Sequence, residues 1–572
     1  MLLHPVCVVQ AASRLTPLSA ADAFLAALVD HEKRGVPRGA GAAGSATAFP
    51  LERMHALLSA LGDPHARLPV IHVAGSNGAR LPHHRAALRC CPVARLTRVR
   101  LPGFFSPFAL LSGKGSTAAF AAAILRAAGY HVAVYSSPHA EHVSERFQSG
   151  AGGAALSRGA FDTLVAKHAD AIADAQSRAG GALTHFEVTT ALALRHFADA
   201  APDCAVVEVG LGGTADATNV FDPRCVEAAV ITTLDKEHTA ALGGTIAAIA
   251  RAKAGILRRG RPGVISPGQR PAAAAALRAL SRAAGAVPFD FRRMRLRLED
   301  ALAPADGGRS VAQAGHLSVR YAPAGWDNAA ALVRGGFQMR MVGPHQAGNL
   351  AAAVAAVVAM AEGGPSEARV ADAARKGLPE PQWRVPASAF GDGIAAAMLP
   401  GRFFVSSQRA TADGRSGAPT LVADGAHSPA AAAALAAALR MPLRGGGAAF
   451  APLAFVVAMA ADKDAAAIFD ALAPLRPRRV VATRVAIAGA AARGAEPATL
   501  AAAWNAAVAR AGGAGPAADV APGLEAALAA AADAVGPNGT VVVTGSLHAA
   551  WAVQHALQTR GAKALFFPAT AA

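Results

Sequence analysis

Val70-Ile71-His72-Val73-Ala74-Gly75-Ser76-Asn77-Gly78 is an apolar run that ends in a glycine turn. Lys114-Gly115-Ser116-Thr117 opens an apolar stretch that continues to Ala128. Joined as Gly78-Lys114, the two halves read strand, Gly-x-x-Gly-Lys-Gly-Ser, helix, and a second strand follows at 131–135. A loop that cradles phosphate needs this order. Glycines let backbone N–H groups close around phosphate oxygens. The lysine neutralises charge, and the hydroxyl after it can hold Mg²⁺ at a helix N-terminus.

Residues 79–113 interrupt this loop. They hold several arginines, no acid and the pair Cys90-Cys91, with neither a helical nor a strand period. Gly113 supplies a substitute for Gly78, but Leu110 falls at the offset of Gly75. Two readings stand. We favour a translated intron or gene-model error. The other is a real loop inserted where backbone amides must converge. Surface loops tolerate long insertions entropically, but a phosphate cradle is not such a place.

The chain has 572 residues, room for two to four domains, and an apolar content of 53% supports large cores. Its net charge of +17 raises nucleic acid as a partner. The basic residues are scattered and aromatics are only 5%, so we expect no nucleic-acid partner. Five cysteines show no metal or disulfide spacing and fit a reducing compartment. The most apolar stretch, 345–362, carries His345, Gln346 and Asn349, as a buried helix would, so no membrane span is expected. Residues 1–21 carry Arg14 and no acid before Asp22, which reads equally as a weak targeting signal or as an ordinary disordered terminus, and a mitochondrial or cytoplasmic location is expected.

From 68 to about 285, strand patterns (69–74, 131–135, 204–209, 228–233, 262–266) alternate with helix patterns (114–128, 159–178, 186–199, 245–258, 271–284). Such alternation predicts an α/β fold with a doubly wound parallel sheet. Residues 286–343 are less regular and could hold short strands, with helices expected at 346–362 and 366–376. Prolines 379, 381 and 386 mark 379–400 as a linker. A second alternating set, with strands near 419–423, 453–458, 478–483 and 539–543, predicts a smaller Rossmann-like domain over 401–572. The first domain then spans 22–378.

Ligands of open α/β sheets bind at strand C-termini. Three constellations end strands or face them: Glu208 to Gly213 with Asp216-Ala217-Thr218-Asn219, Thr232 to His238, and Lys253 with Gly255. A buried carboxylate such as Glu208 must be paired or bind metal. Read alone, each has a plain structural explanation: an ion pair, a satisfied histidine, a capped turn. After a phosphate loop they read as a metal and phosphate site. The second half adds Gly343-Pro344-His345-Gln346 with Asn349, Pro400-Gly401-Arg402, Asp424 to Pro429, and Asp462-Lys463-Asp464.

As an ordered set these motifs resemble the folylpolyglutamate synthase and dihydrofolate synthase family, a branch of the Mur ligases. The resemblance covers about 22–560 apart from 79–113. Residues 31–41, 231–244 and 455–464 look most like plant-type dihydrofolate synthase. The resemblance implies a P-loop domain of Mur ligase central-domain type and a carboxy-terminal glutamate-ligase domain. It implies ATP-dependent joining of L-glutamate to 7,8-dihydropteroate through an acyl phosphate. Polyglutamation of tetrahydrofolate and an inactive nucleotide-binding protein are the alternatives. The expected cofactors are ATP and Mg²⁺, with K⁺ a further candidate. The partners are these small molecules, and a monomer is expected.

Carried over by position, the resemblance implies an ATP site of Gly75, Gly78, Lys114, Gly115, Ser116, Thr117, Asn349, Arg402, Asp424 and His427. Ser116, Glu208 and His238 would bind Mg²⁺. Lys253 matches a lysine that the family carbamylates, and Lys114, Lys253, His238 and Arg402 would carry the catalysis. Ser136, Ser137 and His139 would line the pteroate side. Two positions depart from the family pattern. Thr214 stands where arginine is usual, and Ser428 replaces the asparagine after His427.

Overall fold

The structure is a computed structural model that describes residues 19–31, 37, 49–76, 113–139, 141–235, 238–306, 309–321, 331–408, 417–444, 446–487 and 493–566. Gly78, most of 79–113 and residues 1–18 lie outside these, as do the expectations placed on them.

The amino-terminal sheet has seven strands: β1 (Val70–Ala74), β2 (Val132–Tyr135), β3 (Phe147–Gln148), β4 (Cys204–Glu208), β5 (Val226–Ile231), β6 (Pro262–Ile265) and β7 (Val287–Pro288). Their order is β3-β2-β4-β1-β5-β6-β7. Every pair is parallel except β2–β3. Alternation along each strand builds two cores. Val70, Ala74, Ala205, Val207, Ala229 and Ile231 face one core. Ile71, Val73, Cys204, Val206, Ala228 and Val230 face the other. The first is covered by helices Leu51–Ala60, Arg158–Arg178 and His185–Ala200, the second by Lys114–Ala127, Gln346–Gly363 and Ala387–Ala396.

Connections from β1 run to β2 on one side, while β5 lies on the other. This reversal opens a crevice at the C-terminal end of β1, between β4 and β5. β5 begins and ends two residues earlier than the apolar pattern predicts, which leaves Thr232 and Thr233 in the turn beyond it.

Residues 286–343 form longer strands than expected. β8 (Met294–Ala305), β9 (Ser310–Tyr321) and β10 (Ala331–Met339) make an antiparallel sheet in the order β10-β9-β8. The stretch expected as a linker carries the helix Ala387–Ala396, which buries Phe390 and Ile394, and Trp383 is buried ahead of it. Gly393 lies so close to the phosphate-loop helix that a Cβ there would stand 2.4 Å from Ile124 Cα.

The carboxy-terminal sheet contains β11 (Phe404–Gln408), β12 (Ala418–Ala423), β13 (Leu453–Val457), β14 (Arg479–Ala482), β15 (Ala518–Val520) and β16 (Thr540–Thr544). Its order is β11-β12-β16-β13-β14-β15, parallel except at β11–β12. Among the described residues no single helix is long and apolar enough to cross a membrane. The most apolar long helix, Gln346–Gly363, lies almost wholly inside the second core.

Candidate active site

The two halves of the phosphate loop meet. Gly75 follows β1, and a Cβ built on it would lie 1.7 Å from Thr232 Oγ1 and 3.3 Å from Lys114 Cγ. Gly113 precedes Lys114, and its Cβ would lie 2.0 Å from Asn349 Oδ1 and 3.3 Å from Thr232 Cβ. Thr232 thus touches both sides of the interruption, and only glycine fits at either place. Gly113, which the sequence offers as a substitute for Gly78, thus lies against the same Thr232 as Gly75. Ser76 fixes the end of the first half: its Oγ donates to the Asp235 carbonyl at 3.1 Å and accepts from the Asp235 N–H at 3.0 Å.

Lys114 is buried at the first position of its helix, with Nζ 3.9 Å from Glu208 Oε1. Ser116 and Thr117 are buried in the same turn, and Thr117 Oγ1 donates to the Asn349 carbonyl at 3.3 Å. Gly115 lies near Glu208 and Leu399. Lys253, also buried, donates from Nζ to the Gly75 carbonyl at 2.5 Å. The crevice therefore holds two lysines and a carboxylate around a glycine turn at a helix N-terminus, a set suited to phosphate and metal.

Burial pushes the Glu208 carboxyl up from the ordinary glutamate value; Lys114, the Ser137 N–H and Arg402 pull it back. Arg402 also acts on the second sheet. Asp424 is raised by burial and lowered by Arg402, and its Oδ2 accepts from Phe403 N–H at 2.8 Å. The charge of Arg402 thus acts on a carboxylate of each domain. His345 is driven down to about 3 by burial, then by Arg402, so it is neutral. Asn349 is oriented by Gln346, whose Oε1 accepts from Nδ2 at 2.8 Å. His427 Nδ1 bonds the Gly425 carbonyl at 2.8 Å.

The expected Mg²⁺ can be tested against these groups. Lys114 Nζ stands beyond hydrogen-bond length from Glu208, so this buried carboxylate keeps capacity for a hard cation, and the buried Ser116 sits in the first turn of the adjacent helix. Glu208 and Ser116 fit such an ion. His238 is exposed, at φ 46°, and heads the short helix Thr239–Leu242. Among the described residues no group of three His, Cys, Asp or Glu is placed to hold a metal, so nucleotide oxygens and water would complete the shell.

Both departures from the family pattern have local explanations. Thr214 Oγ1 donates to the Ala252 carbonyl at 3.0 Å and packs on Gly255, tying the glycine turn after β4 to the Lys253 helix. Ser428 caps the helix Pro429–Leu439 by accepting from Ala431 N–H at 3.3 Å.

Of the residues expected to line a pteroate, Ser137 donates its N–H to Glu208 Oε2 at 3.4 Å, and Ser136 is half-buried. His139 Nδ1 accepts from Arg146 Nε at 2.9 Å. Burial and then Arg146 bring His139 to about 2. A second pocket escaped the sequence reading. Its walls include Phe49, Leu51, Phe186, Leu211 and Ala215, with Asp216 among them. Phe186 lies so close over Gly210 that a Cβ there would meet its ring at 2.4 Å. The signal for Asp216 was present in its four-residue motif. Phe186 gave none, being one aromatic at the start of a helix.

Comparison with known proteins agrees with this geometry. Residues 112–357 match the Mur ligase middle domain, and residues 408–547 match the Mur ligase, glutamate ligase domain. The dihydrofolate synthase/folylpolyglutamate synthase of Mycobacterium tuberculosis is 30% identical over 433 residues, 74% of this chain and 72% of that protein. The chain belongs to the folylpolyglutamate synthase and dihydrofolate synthase family. A probable bifunctional folylpolyglutamate synthase/dihydropteroate synthase of Haloferax volcanii is 31% identical over 388 residues. The match spans 68% of this chain but only 36% of that longer protein. Among solved structures, Mycobacterium tuberculosis folylpolyglutamate synthase complexed with ADP superposes with a TM-score of 0.62 at 28% identity, covering 88% of this chain and 94% of its own. The middle-domain match begins at residue 112, at the very end of the interruption, so β1 and Gly75 precede it.

Proposed function

We propose that this chain is an ATP-dependent ligase that joins L-glutamate to a pteroate carboxylate, with 7,8-dihydropteroate the leading acceptor. The convergence of Gly75, Gly113, Lys114 and Glu208 on one crevice carries this reading. The relatives' names support folate–glutamate ligation in general, and one related structure contains ADP.

A carboxylate is a poor electrophile. Transfer of the γ-phosphoryl group of ATP to its oxygen gives an acyl phosphate and ADP. The glutamate amine then attacks the carbonyl carbon, loses a proton, and expels inorganic phosphate as the amide forms. Bound Mg²⁺ would offset charge on the phosphates. Lys114 would set positive charge where that group transfers, Lys253 would hold the Gly75 end of the loop, and the glycine turn offers N–H donors. Arg402, whose charge acts on both Glu208 and Asp424, would act on the nucleotide from the carboxy-terminal side. The pocket at Phe186 and Asp216 suits a flat heterocycle with N–H donors, since an aromatic wall faces a carboxylate among apolar residues.

The test uses the full chain and a variant lacking residues 79–113, each given ATP, Mg²⁺, glutamate and either dihydropteroate or tetrahydrofolate. We expect ADP release that needs the acceptor, dihydropteroate the better one, and faster turnover in the deletion variant, where Gly78 meets Lys114 directly. ATP binding without amide formation in both proteins would leave a nucleotide-binding protein and overturn the ligase reading.

A further inference from the structure

β1 is fully buried, and His72 is its one polar side chain. An imidazole in the central strand of a parallel sheet needs a partner, since an unmet polar group there is costly. His72 Nε2 lies 2.9 Å from Thr218 Oγ1. Thr218 Oγ1 donates in turn to Asp216 Oδ1 at 2.5 Å, and the Thr218 N–H donates to the same oxygen at 3.0 Å. The Leu211 N–H donates to Asp216 Oδ2 at 2.6 Å. Asp216 lines the pocket beside Phe186.

The direction of this chain follows from counting protons. A threonine hydroxyl has one proton, and Thr218 uses it on the carboxylate. Its oxygen must then accept, so His72 donates from Nε2–H. His72 Nδ1 has no partner among the described residues. As a bare lone pair this is tolerable. In the other tautomer it would be a buried orphan N–H facing nothing, and Nε2 would meet Thr218 with no proton between them. Phe221 packs edge-on to the imidazole at 5.5 Å. Burial, with Arg258 nearby, lowers His72 to about 3, so the ring stays neutral.

We propose that His72 is a positioning residue for acceptor recognition: through Thr218 it aims the Asp216 carboxylate at the N–H edge of a heterocycle in the Phe186 pocket. This rests on the ligase reading for the identity of the heterocycle, but the donor chain stands on its own contacts. His72 and the nucleotide loop share β1, so one strand serves both substrates: Gly75 at its end turns toward ATP, and His72 acts through its side face on the acceptor.

Thr218→Val removes the hydroxyl and His72→Phe removes the donor. Thr218→Ser and His72→Gln keep them, since glutamine Nε2 can stand for imidazole Nε2. Dissociation constants for dihydropteroate and for ATP are measured separately by calorimetry on the full chain. We expect Thr218→Val and His72→Phe to weaken dihydropteroate about tenfold or more, to leave ATP within about twofold, and to be largely rescued by the conservative pair. Unchanged dihydropteroate affinity in Thr218→Val, or equal losses for both ligands, would overturn the proposal. ¹⁵N spectra of histidine-labelled protein give a readout independent of substrate, with His72→Gln assigning the resonance. The proposal requires an Nε2–H tautomer at neutral pH, and an Nδ1–H tautomer overturns it. Wild-type protein that shows the tautomer but binds no pteridine sinks the acceptor assignment and with it the recognition role of His72.

Discussion

The two parallel sheets share a plan and differ in what they bury. Each reverses strand order beside a central strand and carries helices on both faces. The amino-terminal sheet and its connections bury Lys114, Glu208, Lys253, His72 and Asp216, gathered at or near strand C-termini. In the carboxy-terminal unit, the buried polar residues among those described are Thr420, Thr483, Thr540, Thr544, Ser546 and Gln554, hydroxyls and one amide, while Asp424, whose carboxyl burial also raises, keeps partial exposure. Buried charge costs several kcal/mol before any partner repays it. A fold keeps such groups in number where they act. Shared topology therefore need not give the two units equal roles: on the proposed function the first would hold the chemistry, and the second would contribute Arg402, Asp424 and His427.

The strongest way to break this contrast is at Lys114. Lys114→Ala removes the cation nearest Glu208. Electrostatic groups in such sites are worth about 10²–10³ in turnover. We expect a loss of that size in steady-state ADP release, with the thermal midpoint little changed. Near-normal turnover would mean that the buried charges of the first sheet are scaffolding.

Glu227 sharpens the contrast from the other end of the strands. It sits near the start of β5, fully buried, and accepts from Ser366 N–H at 3.1 Å and Trp383 Nε1 at 3.0 Å, with Arg261 at 3.3 Å. It pins the stretch before helix Ala387–Ala396 to the sheet. Truncating one partner of such a network costs about 3–5 kcal/mol. Glu227→Ala should lose that much in urea unfolding, while kcat of the folded fraction stays near wild type. A kcat loss matching that of Lys114→Ala would erase the distinction between the two ends of the sheet.

Acidification separates the same groups by sign. His72, His139 and His345 fall to about 3, 2 and 3 in the folded protein, against about 6.5 unfolded. The unfolded chain therefore binds more protons below pH 6.5, and each neutral histidine withdraws stability as pH falls toward its folded value. Glu208, Glu227, Asp216 and Asp424 are raised, so they act oppositely and gain stability on acidification. His72→Gln deletes one histidine contribution, about 2 kcal/mol between pH 6.5 and 5. Urea titrations at both values should show a shallower loss in the variant. Equal slopes would mean that His72 is protonated in the folded state.

Much of this was legible in the chain, for physical reasons. Strands buried on both faces are continuous apolar runs, so β1, β2, β4 and β13 fell within a residue or two of expectation. The glycine turn announced the crevice because few sequences need glycine, lysine and hydroxyl in that order. The antiparallel sheet was harder. β8 alternates as Met294-Arg295-Leu296-Arg297-Leu298 and then shifts register before Leu302, which breaks the period. The helix Ala387–Ala396 was hidden by Gly391 and Gly393. Gly393 is required by the approach of Ile124, a tertiary fact with no local signal. The Phe186 pocket is likewise assembled from stretches far apart in sequence: 31, 49–51, 184–187 and 210–217.

The smallest effect tests whether the hydroxyls of the second unit are idle. Thr540 opens β16 between β12 and β13, fully buried, with its N–H bonded to the Pro452 carbonyl at 2.8 Å. Its Oγ1 has no partner among the described residues. A buried hydroxyl without a bond lowers stability by about 1–3 kcal/mol relative to one that is paired, whereas a methyl of the same shape carries no such penalty. β-Branching is kept in valine, so the strand is not disturbed. Thr540→Val should therefore raise the unfolding free energy slightly, by about 0.5–1 kcal/mol, and leave ADP release unchanged. A loss of stability would show that the hydroxyl is satisfied by bound water. A loss of turnover would show more: that a polar group deep in the second sheet contributes to the reaction, and that the division of labour between the two sheets is wrong.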